Sequence, residues 1–266
     1  MTSIRPILTA DSVTEIGPAV RDAVLVAGSH GGVIAGHLAA KAGARAVILN
    51  DAGVGKDAAG IAALEYLGAI GMAAATVGHA SARIGSGAHM LAYGVISHAN
   101  AVAAALGVAS GQPCRDAAVR LSAAAAPRAA PPPYAEGRYL LLRAGSREIW
   151  ALDSVGKLLP EDAGRILLIG SHGALHGGRA ESALPVDAFA AVFNDAGVGP
   201  DAVGTSRLPV LAARGIAAAT VGCASARIGD GRSMWESGVI SFVNAVAEGL
   251  GARPGESVRR FVERLS

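Results

Sequence analysis

The stretches AAATVGHASARIG at 73–85 and AAATVGCASARIG at 217–229 decide how this chain is organised. Twelve of their thirteen positions are identical, and the one difference sets His79 against Cys223. Working outward, the same motifs follow in the same order twice. Asp11, Ser12 and Val13 return as Asp153, Ser154 and Val155, and GSHG at 28–31 returns at 170–173. NDAGVG at 50–55 returns at 194–199, GVIS at 94–97 returns at 238–241, and Asn100 is matched by Asn244. The offset is 142 as far as GSHG and 144 from NDAGVG onward, so the second copy is two residues longer between those motifs. A repeat on this scale means one supersecondary unit built twice. The chain reads as a tandem duplication, with a first repeat at 1–122, an Ala/Pro-rich linker at 123–137, and a second repeat at 138–266 that carries an added N-terminal strand pair. Prolines without a backbone donor make the linker an exposed, semi-extended spacer.

Inside each copy, short apolar runs alternate with longer segments of helical pattern. AVLVAG and RILLIG are buried-strand candidates, each followed by a glycine-rich loop and an apolar helical segment. RAVILN and AAVFN are the next strands, and AAATVG is the third, leading through SARIG into a long helix that contains GVIS. RYLLLRAG and SREIWALDS form the added strand pair around a turn, and RPILTADS is the first copy's counterpart of the second of them. The predicted fold class is α/β. Each copy is a small parallel-sheet βαβαβα unit with right-handed crossovers, and a pseudo-twofold axis relates the two halves.

Composition narrows the functional classes. The hydrophobic fraction is 52% with only 4% aromatics, and there are 36 glycines, so the core consists of small side chains and closely approaching backbones. A net charge of +2 without a basic cluster interleaved with aromatics speaks against a nucleic-acid partner. Residues 84–114 lack any charged residue, but their counterparts include Asp230, Arg232, Glu236 and Glu248, so no membrane span is expected. The N-terminus MTSIRPILTADSV has no apolar core followed by a cleavage pattern. Cys114 and Cys223 are unmatched, which suits a reducing cytoplasm and a cytoplasmic protein. No His, Cys and carboxylate cluster stands at ligand spacing, so neither a metal nor another cofactor is expected.

GSHG, NDAG and the SAR segment all follow predicted strand ends, which puts three polar loops on the edge where open α/β sheets bind ligands. In the first loop, Ser29 and His30, with Ser171 and His172 in the second copy, enter a helix whose N–H groups suit an anion. His30 and His172 are also general-base candidates. The bland alternative is a tight turn in which the histidine bonds a loop carbonyl. Asn50 and Asp51, like Asn194 and Asp195, supply either a carboxylate that orients a histidine or an Asx turn that staples the loop. Asp57 and Asp201 read as helix caps. Ser81 and Ser225 are nucleophile candidates, with Ser81 also at hand for substrate contacts. Arg83 and Arg227 need an anionic partner, which is either the substrate or the carboxylates of Asp51 and Asp195.

Cys223 is read either as a small core residue or as a reactive thiol, with His79 as its activating partner from the other half. Asp230, Arg232, Trp235 and Glu236 replace Ser86, Ala88, Leu91 and Ala92, an asymmetry that favours one specialised site or a solvated helix face. Ser97 and Asn100, with Ser241 and Asn244, are expected on a packed helix face. The functional expectation is an enzyme acting on a small anionic metabolite, with hydrolysis of an amide or related carbonyl compound first. A lyase or isomerase using the same groups, or a non-catalytic nucleotide- or phosphate-binding protein, is the alternative. Alanine-rich helices with internal glycine are compatible with a homo-oligomer.

Overall fold

The computed structural model describes residues 5–144 and 147–265. The turn expected at 145–146 and residues 1–4, read above for a leader, lie outside the described residues. The chain divides into two compact units of similar build. One contains the chain up to Val54, Ala58–Ala135 and Gly199–Asp201; the other contains Gly55–Asp57, Glu136–Val198 and the chain from Ala202 onward.

The first unit runs β1 (Ile7–Ala10), β2 (Val24–His30), α1 (Val33–Lys41), β3 (Ala46–Asn50), α2 (Ala63–Ala69), β4 (Ala73–Val77), α3 (Gly87–Tyr93), β5 (Ile96–Ala99), α4 (Ala101–Ala104) and α5 (Cys114–Leu121). Its sheet has the order β1-β2-β3-β4-β5, with the first four strands parallel and β5 antiparallel to β4. Successive residues of a strand face opposite sides, and the alternation sorts the core into two layers. Val24, Val26, Ile48 and Ala75 pack with Met90 of α3 and Ala117 and Leu121 of α5, whereas Leu25, Val47 and Leu49 pack with Ala35 and Ala39 of α1 and Leu67 of α2. Alanine dominates both helical faces, so helices lie close to the sheet, as the composition requires.

The second unit runs β6 (Arg138–Ala144), β7 (Arg147–Leu152), β8 (Ile166–His172), β9 (Ala190–Asn194), α6 (Arg207–Ala213), β10 (Ala217–Val221), α7 (Gly231–Ser237), β11 (Ile240–Val243), α8 (Ala245–Gly249) and α9 (Val258–Leu265). The sheet order is β11-β10-β9-β8-β7-β6, with β11 and β6 antiparallel to their neighbours. An α/β fold with two similar halves is therefore present; of the expected added pair β6 and β7, only β6 is extra, since β7 lies parallel to β8 as β1 lies parallel to β2. Among the described residues no helix is long and apolar enough to cross a membrane. The Ala/Pro stretch packs on the first unit, with Arg128 N–H bonded to the Ile70 carbonyl at 2.8 Å.

The structure corrects three expectations. Neither sheet is wholly parallel, because GVIS does not continue a helix: α3 stops at Gly94, and Ile96–Ala99 becomes a strand hydrogen-bonded along β4. A side chain at Gly94 would place its Cβ 2.5 Å from the Met90 carbonyl oxygen and 2.7 Å from Val77, so the glycine allows the helix to stop against the sheet. Ser97 and Asn100 then share no helix face. Ser97 lies on β5 with its hydroxyl 3.0 Å from that of Thr76, while Asn100 caps α4 through the Ala103 N–H and bonds the Met72 carbonyl at 2.8 Å. Ser241 and Asn244 repeat both arrangements.

The second correction concerns the segment after GSHG in the second unit. No counterpart of α1 forms there; residues 173–185 make only short 3-10 turns at His176–Gly178 and Ala180–Ser182. Gly177 and Gly178 both take positive φ, and Pro185 follows, so the chain lacks an uninterrupted run of helix formers. The space is organised by Arg207, which is fully buried in α6. Its guanidinium donates to the carbonyls of Ala174 (3.1 Å), Ser182 (2.8 Å) and Ala183, and lies 5.1 Å from the centre of the Phe193 ring. Arg207 was singled out by no motif, since its counterpart in the first copy is Ala63.

Third, Asp57 and Asp201 are not ordinary helix caps. Each is the second residue of a 3-10 segment and has left-handed backbone, at φ 54° in both cases.

Candidate functional site

Because the parallel strands lie in sequence order, no reversal of strand order opens a crevice between them. What gathers at the carboxyl edge of each sheet is instead a set of loops tied to one another by backbone hydrogen bonds. The NDAGVG loop is the most unusual. Ala52, Gly53, Val54 and Gly55 all have positive φ, between 49° and 77°, and Ala196 through Gly199 repeat the pattern. A left-handed conformation costs an L-residue about 1–2 kcal/mol, and a β-branched valine tolerates it least. Such a turn persists only where its surroundings over-determine it. Here the determinants are visible. Asn50 Oδ1 accepts the Ala52 N–H at 2.9 Å, Asp51 Oδ1 accepts the Gly53 N–H at 3.0 Å, and the Val54 carbonyl accepts the Gly60 N–H at 2.9 Å. Gly60 must be glycine, since a Cβ there would sit 2.1 Å from the Asp51 carbonyl oxygen.

Asn50 and Asn194 are wholly buried and join this loop to the SAR loop, donating to the Ala82 and Ala226 carbonyls at 3.3 and 3.1 Å. Ser81 and Ser225 also brace: each hydroxyl donates to a glycine carbonyl at 2.7 Å and accepts a β5- or β11-flanking N–H at 3.0 Å. Ser29 and Ser171 accept the N–H groups of Val13 and Val155 at 3.0 Å. The donors of GSHGG that suited an anion are engaged inside the protein, the Gly31 N–H on the Asn50 carbonyl at 2.7 Å and the Gly32 N–H on His30 Nδ1 at 3.1 Å. His172 repeats the last contact with the Ala174 N–H at 3.3 Å.

His30 is buried, and burial lowers its pKa from 6.5 to about 4. With Nδ1 accepting a backbone N–H, its neutral ring carries the proton on Nε2. The unfolded chain takes up a proton near pH 6.5 while the folded one waits until about pH 4, so the native state loses stability as pH falls through this window. We expect the loss to reach roughly 3 kcal/mol and His30→Gln to flatten it. Denaturant titrations at pH 7, 5.5 and 4.5 read this directly; identical slopes in both proteins contradict it.

Asp51 and Asp195 stand at equivalent places in the two loops. Asp51 is buried, and its Oδ1 accepts from the His79 N–H at 2.8 Å and meets His79 Nδ1 at 2.9 Å. Burial alone would raise its pKa, but the His79 ring and N–H, the Gly53 N–H and Ser97 together hold it below the usual carboxylate range. An ionised carboxylate only accepts, so Nδ1 carries the proton. The His79 side chain is one-third exposed. In the second unit, Asp195 Oδ1 accepts the Cys223 N–H and the Gly197 N–H, both at 3.0 Å. The shared contact is therefore made by the backbone N–H at this position, and the side chain differs. Comparison with family models, with curated proteins and with solved structures gives no match.

The arginines choose neither Asp51 nor Asp195. Arg83 pairs with Asp201, at 3.0 Å from Nε and 2.5 Å from NH2, and Arg227 pairs with Asp230 and Asp57 at 3.0 Å. Asp57 and Asp201 thus serve as ion-pair partners. Among the described residues no group of three His, Cys, Asp or Glu side chains is placed to hold a metal ion. Cys114 is a core residue at the start of α5, its thiol pushed up to about 12 by burial.

Sequence reasoning gave Asp51 a histidine to orient without naming His79, which it read as the partner of Cys223. It also missed Thr76 and Ser97, which support Asp51 from β4 and β5. Their signal was the recurrence of Thr in both AAATVG strands and of Ser in both GVIS segments.

Proposed function

We propose that the chain is an enzyme acting on a small anionic metabolite, with the Asp51–His79 pair as its acid–base device and amide hydrolysis as the reaction. The 2.9 Å contact between His79 Nδ1 and the buried Asp51 carboxylate carries this reading. A proton fixed on Nδ1 leaves Nε2 with its lone pair, on a ring that is partly exposed, which is the arrangement of a general base. In hydrolysis Nε2 removes a proton from the attacking water as it adds to the carbonyl carbon, and returns it to the departing nitrogen as the C–N bond breaks. Asp51 is a positioning residue: it sets the tautomer and stabilises the imidazolium that forms between the two transfers.

Arg83 supports an anionic substrate. It stands on the same loop as His79, and its pair with Asp201 is exposed on both sides, at 46% and 68%. Exposed pairs of this kind contribute at most about 1 kcal/mol, so a substrate carboxylate can replace Asp201 at little cost. Ser225 and Ser81 are left as braces, because each gives its proton to a carbonyl. The Cys223 N–H donates to Asp195 at 3.0 Å, and the reaction proposed here uses no covalent step at its thiol.

The test is turnover of a panel of small carboxylated amides, followed by release of ammonia or amine. It is paired with nitrogen NMR of His79, which should show Nδ1–H and an unprotonated Nε2 at neutral pH, and Asp51→Asn should mix the tautomers. A panel without hydrolysis, but with solvent-proton exchange next to a carbonyl, would move the reaction to a lyase or isomerase. Nδ1 without a proton would remove the dyad.

A further inference from the structure

The opposite edge of the first sheet holds a second feature that plays no part in the dyad. A cavity of about 660 Å³ opens between the end of α1 and the Ala/Pro stretch. Its lining includes Arg21, which precedes β2, Lys41, the last residue of α1, and Ile70, which precedes β4. These positions belong to the amino edge of the parallel strands, whereas Asp51 and His79 belong to the carboxyl edge. The volume lies within the range of small-molecule sites, roughly 300–1,000 Å³.

The lining is chemically one-sided. Ile70, Pro131 and Tyr134 contribute apolar surface, with the Tyr134 ring 6.5 Å from that of His37. The charged lining residues are Arg21 and Lys41, both cations, and no carboxylate lines the cavity. Among the described residues neither cation takes part in an ion pair; neighbouring Asp22 is occupied by Arg5 and Arg45. The last carbonyls of α1 do not need these cations either, since those of Leu38, Ala39 and Ala40 accept the N–H groups of Ala42, Ala44 and Gly43.

His37 is positioned rather than loose. The Tyr66 hydroxyl donates to the Pro132 carbonyl at 2.6 Å and has no second proton, so in its 2.9 Å contact with His37 Nδ1 it accepts. His37 Nδ1 is thereby the donor of this contact, which fixes the orientation of the ring. The same tyrosine clamps the Ala/Pro stretch, which forms one wall of the cavity, to α2.

We propose that this cavity binds a small organic anion with an apolar, ring-bearing body, its charge between Arg21 and Lys41 and its ring against Tyr134. The site is separate from the acid–base pair and does not depend on the reaction assigned to it.

The probe is 8-anilinonaphthalene-1-sulfonate, an aryl sulfonate whose fluorescence reports binding to apolar surface, titrated into the full-length protein. Binding should be saturable with one equivalent. The double variant Arg21→Glu, Lys41→Glu should raise Kd at least tenfold with an unchanged thermal midpoint, and Tyr134→Ala should weaken binding severalfold. Resonances of His37 and Tyr134 in the unaltered protein should shift on titration, a readout that requires no variant to fold. Neutral N-phenyl-1-naphthylamine should bind at least tenfold more weakly than the sulfonate. Unchanged affinity in the charge-reversed protein, equal affinity for the neutral probe, or shifts confined to residues elsewhere would each overturn the proposal.

Discussion

Replacing Arg207 with alanine should cost the second unit about 3–5 kcal/mol of stability. The side chain is fully buried, and burial pulls its pKa down to about 10, so it is still a cation at neutral pH. What holds that charge is a set of backbone carbonyls at Ala174, Ser182 and Ala183, together with the face of Phe193. Truncation leaves these carbonyls without a donor and opens a cavity at once, and each effect alone is worth about 1–3 kcal/mol or more. Arg207→Met refills part of the volume but restores no donor, so it should recover only a part of the loss. Chemical denaturation followed by tryptophan fluorescence checks this, since Trp150 and Trp235 both lie in the second unit. A loss below 1 kcal/mol for the alanine variant would show that the loop at 173–185 holds its shape without the arginine.

The largest effect on activity is expected at His79. His79→Gln keeps a polar side chain of similar reach and the backbone N–H that Asp51 accepts, but removes the titrating nitrogen. For a general base the expected fall in kcat is 10²- to 10⁴-fold, with KM little changed. Asp51→Asn should lower kcat as well, through the wrong tautomer rather than through lost binding. The two substitutions combined should be little worse than His79→Gln alone, because the residues act as a unit. Steady-state kinetics on whichever amide is turned over decides this. An active His79→Gln variant would move the chemistry away from the dyad.

The parts of the fold that could be read from the chain were those written twice. Repeated strands with buried residues at every position, AAATV above all, and repeated polar segments at their ends placed the loops on one sheet edge. Three things resisted. GVIS looks helical in a run without charge, and only the contact of Gly94 with Met90 and Val77 shows why the chain must turn there. The missing counterpart of α1 depends on Arg207, whose importance comes from burial that no local pattern announces. The pairing of His79 with Asp51 could not be named from the chain, which offered Asp51 a neighbouring histidine without saying which. The choice rested on a left-handed loop in which alanine and valine adopt angles their identities do not suggest.

That loop also explains where the two halves differ. Nearly every polar side chain at the sheet edge is committed to a backbone group, and exchange of Asn50 or Asp51 would remove an acceptor that holds the turn. At position 79, and at its counterpart 223, the framework requires only an amide N–H, which any residue except proline provides. One seat in an otherwise rigid mounting can therefore be refitted, with imidazole in one half and thiol in the other, without redesigning the mounting. Anyone seeking to change the chemistry of this protein should begin with that seat.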